Sequence, residues 1–188
     1  MPNVDAPFGL KPVGHMTGGD VRLHEYSIAS AYDTSIFSGD VVTMTGTGKN
    51  IAQAAAGETN NIGVFAGCRY VNAQGEQKFS KYWPADTVAT DIVALVYDDF
   101  NLVFEAQATT LAEADVGLLM DISVGTGSAA TGLSGAQIDE GTKAGPGGSF
   151  RVLEVVNRPD NAYGADAKVL VMFAEHALKG VVSGVGAD

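Results

Sequence analysis

The side chains of this 188-residue chain that could do chemistry are few and scattered. Asp98 and Asp99 are adjacent carboxylates, a pattern that can hold a hard cation or divide general acid and base work. They lie between two apolar runs, and an Asp opening a type I turn accepts backbone N–H bonds, so turn chemistry accounts for them. A calcium ion from the medium is the alternative use of that loop. His15, His24 and His176 have no partner three or four residues away and no Cys or Glu constellation beside them, so they are read as surface or strand residues rather than zinc ligands. Cys68 stands between Gly67 and Arg69 in a strand-like run, not at a helix start that would favour its thiolate, and is expected to be buried and inert. One thiol cannot close an intrachain bridge.

The string GTGSAA at Gly125–Ala130 fits the loose dinucleotide pattern G-x-G-x-x-G/A and follows the apolar stretch Leu118–Val124. A true fingerprint needs a helix whose N-terminus holds the pyrophosphate, and here Gly132 and Gly135 continue the loop instead. Gly48-Lys49 is followed by Asn50 and lacks the earlier glycine of a P-loop, and no serine stands in a Gly-x-Ser-x-Gly elbow. Tyr82, Trp83 and Pro84 form an aromatic strand end. Core packing is the plainer use of Trp83, a subunit interface the other, and a sugar platform the least favoured, since one Trp offers little stacking surface. No catalytic residue, cofactor or metal is expected, and the chain is read as non-enzymatic.

The elements that would carry these residues are mainly strands. The 24 glycines, the sparse charge at helical spacing and the abundance of Val, Thr and Ile favour pleated structure with many turns. Strands are predicted at Val21–Ala29, Asp40–Thr45, Ile62–Val71 and Gln77–Trp83, with turns at Gly39-Asp40 and Asn72–Gly75. Asp91–Tyr97 and Leu102–Gln107 read as a hairpin around Asp98–Asn101, the first strand being apolar on both faces and so central. Thr110 and Glu113 have capping-box spacing for one short helix ended by Gly117. Residues 125–148 are a glycine-rich excursion, a loop or a short edge hairpin, before two closing strands at Phe150–Val156 and Lys168–Ala174. The fold expected is a compact antiparallel sandwich or barrel.

Prolines and glycines in residues 1–19 block regular helix and favour an extended arm, with 20–176 as the β body and 177–188 as a tail that is either frayed or docked on a partner. Pro7, Phe8, Leu10, Pro12 and Val13 on that arm must bury apolar surface somewhere. That place is either their own domain or a neighbour; a neighbour is the expected one, so that deleting residues 2–14 would impair assembly and leave the isolated fold intact.

A net charge of −11 opposes any function that works by neutralising phosphates, so nucleic acid is not an expected partner. The longest apolar runs fall far short of the roughly 20 residues a membrane helix needs, and Met1–Asp5 lacks the basic start of a secretory signal. No membrane association is expected, and synthesis is expected in the cytosol.

The ordered strings GVFAGCRY (Gly63–Tyr70), GEQKF (Gly75–Phe79), YWPA (Tyr82–Ala85), VYDD (Val96–Asp99), FEAQ (Phe104–Gln107) and DVG (Asp115–Gly117) carry a resemblance. TGLSG (Thr131–Gly135) and RPDN (Arg158–Asn161) continue it. From about Pro7 to His176 the chain resembles structural proteins encoded near the major capsid gene of tailed phages of aquatic bacteria. None of the shared strings is catalytic. The resemblance implies a virion protein of the capsid decoration (cement) type, made in the host cytoplasm and placed on the outer capsid surface. Its partners would be the major capsid protein and itself, as a trimer or else a dimer, with Pro7, Phe8, Leu10, Pro12, Val13 and Trp83 as candidate contacts. The acidic charge favours the outside of a head over its genome-facing lining. A tail or head-fibre protein and a small carbohydrate-binding β module are the alternatives.

Overall fold

The computed structural model describes residues 3–143 and 147–179. Strands dominate them, and helix is confined to two single 3-10 turns, Glu113–Asp115 and Glu140–Thr142. In chain order the first strands are β1 (Lys11–His15), β2 (His24–Tyr26), β3 (Ile36–Phe37), β4 (Val41–Met44), β5 (Ile51–Gln53), β6 (Asn61–Asn72), β7 (Gln77–Ser80) and β8 (Tyr82–Trp83). They are followed by β9 (Ala89–Tyr97), β10 (Leu102–Gln107), β11 (Thr110–Leu111), β12 (Leu119–Ser123), β13 (Gln137–Asp139), β14 (Phe150–Val155), β15 (Gly164–Ala165) and β16 (Lys168–Phe173).

One six-stranded antiparallel sheet runs β1-β10-β16-β14-β12-β13. The other runs β2-β9-β6-β4-β5, with β7 also paired to β6. Two ribbons, β3-β8 and β11-β15, lie outside them. Among the described residues neither large sheet closes into a barrel.

Alternation along β4 shows how the layers are joined. Val41, opposite Val64, faces a core shared with Phe104, Phe150, Val171 and Phe173 of the first sheet, whereas Val42 turns to a second core with Ile36, Phe65 and Trp83. The second sheet is therefore buried on both faces around β4 and β6, which is why those segments are apolar without a polar face. Phe173 packs edge-on against Phe104, with ring centroids 5.7 Å apart, and tilted against Phe150 at 4.6 Å.

Three expectations are corrected. The segment Asp91–Gln107 is not a hairpin: β9 is held between β2 and β6 in one sheet and β10 between β1 and β16 in the other, so Asp98–Asn101 is a crossing between sheets. Each strand has both edges filled by other partners, a choice that periodicity cannot reveal. The capping box also shifts. Thr110 belongs to β11, and the turn begins at Ala112, whose N–H donates to the Asp115 carboxylate at 2.8 Å, while Gly117, at φ +91°, ends it.

Third, residues 3–15 dock on their own body, where an extended arm reaching a neighbour was expected. Asn3 donates to Ala162 O and Ala165 O at 2.9 and 2.7 Å, Ala6 N donates to the Gln107 side chain at 3.0 Å, and Leu10 N donates to Gly39 O at 2.9 Å. Lys11–His15 then pairs with β10 through a bulge between Pro12 and Gly14. Pro12 permits a strand here because β1 lies at a sheet edge. The glycine-rich excursion carries β13, which makes an edge hairpin with β12. The tail beyond Lys179 lies outside the described residues.

Candidate functional site

The docked N-terminal segment makes one wall of a groove of about 490 Å³. Its apolar lining comes from Phe8, Leu10, Pro12, Phe65 and Tyr97, with Leu133, 40% exposed, at its edge, and its rim is charged, from Lys11, Arg158, Lys168 and Glu105. One close backbone crossing sets its base. Gly9 (φ +73°) and Gly39 (φ +96°) pass so closely that a Cβ on Gly9 would stand 2.6 Å from Gly39 O, and one on Gly39 would stand 2.9 Å from Phe8 O. Only glycine meets both the left-handed backbone and the missing space.

Asp40 secures the crossing from below. Its buried carboxylate accepts from Phe37 N (2.7 Å), Gln53 Nε2 (2.9 Å) and Ser134 Oγ (2.5 Å), tying the β3–β4 turn, β5 and the glycine-rich excursion to one group. Burial pushes its pKa up, and the three donors pull the other way. On the rim, Arg158 bonds to Glu105. Among the described residues Lys11 and Lys168 have no carboxylate partner.

Of the sequence-predicted contacts, Phe8, Leu10 and Pro12 are brought together in this groove. Leu10 is 2% exposed and belongs to the main core of its own subunit, which corrects its expected burial on a neighbour. Pro7 is exposed but does not line the groove, and Val13, at the β1 bulge, is 46% exposed. Trp83 cannot be a contact surface: it is 0% exposed in the second core, edge-on to Tyr70 at 5.2 Å, because the β3-β8 ribbon covers that core with its apolar side. The cations of the rim were not legible as a site. Lys11 is far in sequence from Arg158 and Lys168, and the only local hint is that Lys11 and Lys168 each open a strand.

A second cluster gathers at the crossing between sheets. His15 Nε2 lies 2.9 Å from Asp99 Oδ2, His24 Nδ1 lies 2.5 Å from Asp98 Oδ1, and Tyr26 donates to Asp98 Oδ2 at 2.8 Å. Asp99 Oδ1 also accepts from Asn101 N at 2.8 Å, the turn role expected of it. Asp98 instead spends its carboxylate on β2. His15 and His24 thus do have partners, 84 and 74 residues away in sequence. Burial works against ionising Asp99, but the bonds from Asn101 and His15 hold its pKa below the usual value.

His176 is buried against the Phe173 and Phe100 rings, at 5.1 and 5.9 Å, and its Nδ1 accepts from Leu178 N at 3.1 Å. Burial depresses its pKa, opposed by the Ile62 backbone and by Asp98 and Asp99. Burial and the bond to Asp98 push the Tyr26 phenol up. These contacts fix a corner of the fold. Among the described residues no three His, Cys, Asp or Glu side chains are grouped to hold a metal ion.

Cys68 is 4% exposed, and burial pushes its thiol up to about 12. In the GTGSAA loop a Cβ on Gly125 would stand 1.9 Å from Gly135 O, and one on Gly127 would stand 2.2 Å from the Phe37 ring. Those glycines permit close packing of the loop on itself and on β3, and no helix follows them. No protein-family model matches the chain, and no curated protein matches it.

Proposed function

We propose that the protein is a non-enzymatic structural protein of a tailed-phage particle, of the capsid decoration (cement) type. It is made in the host cytoplasm and attaches to the outer surface of the head through the major capsid protein. The observation that carries this reading is the groove: a partly open, apolar channel with a cationic rim on an otherwise acidic body, a form suited to gripping another protein. The resemblance in the strings from Gly63 to Asn161 supplies the particle.

In this reading the two six-stranded sheets act as a stiff sandwich that keeps the groove in shape. Attachment is mechanical. A trimer, or else a dimer, presents several grooves at once, and multivalency raises modest single-site affinity by roughly 10² to 10⁴. The shell is thereby held against internal pressure.

Cryo-electron microscopy of virions from a host expressing a tagged copy tests the reading. Regular tag density at capsomer junctions is expected, and density confined to the tail, or none on the particle, would overturn it.

A further inference from the structure

We infer that the groove takes an extended acidic segment of a partner protein, seating an apolar side chain on Phe8, Tyr97 and Leu133 and placing carboxylates at Lys11 and Lys168. The inference deepens the attachment reading above and rests on it for the partner's location, though not for the partner's chemistry.

Charge is the first ground. The chain holds 11 Lys and Arg against 22 Asp and Glu, yet the groove is lined by three cations and one acid. The ratio is inverted where the surface turns inward. Arg158 already answers Glu105, so the positive excess rests on Lys11 and Lys168, the two that have no carboxylate partner among the described residues. Lysines above a low-dielectric floor attract a carboxylate more strongly than lysines on an open surface do.

Shape is the second. A site for a small molecule encloses most of its ligand, whereas this groove is partly open, with Lys11, Leu133 and Arg158 of its lining exposed. A segment lying along it would bury one row of side chains and keep the other in water. In extended chain, alternate residues point to opposite sides, so an apolar anchor and its flanking acids can meet the floor and the rim. A nucleic acid fits poorly, because a long polyanion would run from the cationic rim over a body of net charge −11. The rigid base set by Gly9, Gly39 and Asp40 means that the groove exists before the ligand arrives, which keeps the cost of ordering on the partner alone.

The test selects binders from a displayed library of random dodecapeptides on the immobilised full-length chain. A parallel selection uses the double variant Lys11→Glu, Lys168→Glu, and a third uses the milder pair Lys11→Gln, Lys168→Gln, which keeps the fold without like-charge strain. Melting curves check that each variant is folded. Enrichment of acidic peptides with an apolar centre, lost on the Glu pair and weakened roughly tenfold per lysine on the Gln pair, is expected. No enrichment, enrichment without acidic bias, or acidic binders retained by the Glu pair would each overturn the inference.

Coating of purified expanded capsids separates this inference from the attachment reading. If the wild type coats capsids and the Glu pair coats them equally, the inference fails and the reading stands. If the wild type selects acidic peptides but leaves capsids bare, the reading fails and the inference stands.

Discussion

Replacing Leu10 by alanine should cost the fold about 2–3 kcal/mol. Leu10 is 2% exposed and packs in the core shared by both sheets, so the substitution removes buried carbon and leaves a cavity. Leu to Ala at such sites costs about 2–5 kcal/mol, and the lower part of that range applies because Leu10 borders the groove, whose open side lets its wall relax. In a chain of this size each kcal/mol moves the melting temperature by about 2–4 °C, so a fall of roughly 4–12 °C is expected by scanning calorimetry or circular dichroism. Val13→Ala is the internal control. It lies three residues past Leu10 on the bulged strand, is 46% exposed, and should change stability by less than about 1 kcal/mol. A free arm that folds only on a neighbour would leave the melting temperature of the isolated Leu10→Ala protein unchanged, and that result would refute the assignment of this segment to its own body.

Two further outcomes follow from the packing. His176 has a depressed pKa in the fold, so its contribution is fully present above the ordinary value of 6.5 and is lost as pH falls below it through the folded value. Wild-type melting temperature should therefore drop more steeply between about pH 7 and 5 than that of His176→Gln, and superimposable profiles would sink the argument. Gly127→Ala would press a methyl group to within 2.2 Å of the Phe37 ring and should destabilise by about 1–3 kcal/mol in denaturant titration. Gly14→Ala, with open space at its Cβ, should stay within about 0.5 kcal/mol, and equal effects at the two sites would show that close packing is not the cause.

The long strands were legible because their residues announce them: Asn61–Asn72 and Lys168–Phe173 are apolar or alternating runs bounded by turn formers. The turn at Asn72–Gly75 was legible for the same reason, and its Asn72 side chain accepts from Gln74 N and Glu76 N. The edge strand β1 was hidden because Pro12 and Gly14 look like breakers, and only the partner strand β10 decides that they lie in a sheet. Two-residue strands such as Ile36–Phe37 are too short to show a period. At Asp98–Asn101 the turn itself was readable, but not which sheet received the next strand.

The candidate site divides in the same way. Phe8, Leu10 and Pro12 drew attention because apolar residues on a proline-rich segment need a place to go. Their burial on the body followed from distant partners, Gly39, Gln107 and Ala162, that no local pattern names. The pairing of His15 with Asp99 and of His24 with Asp98 is invisible for that reason as well.

The way the first sheet ends at β1 bears on crowding. A sheet margin with free N–H and C=O groups is a template on which another chain can add, and copies held close together would run on into fibres. Here the margin carries Lys11, a Pro12 that has no N–H to offer, and a bulge that breaks the regular spacing. Strand-by-strand growth is therefore blocked at that border.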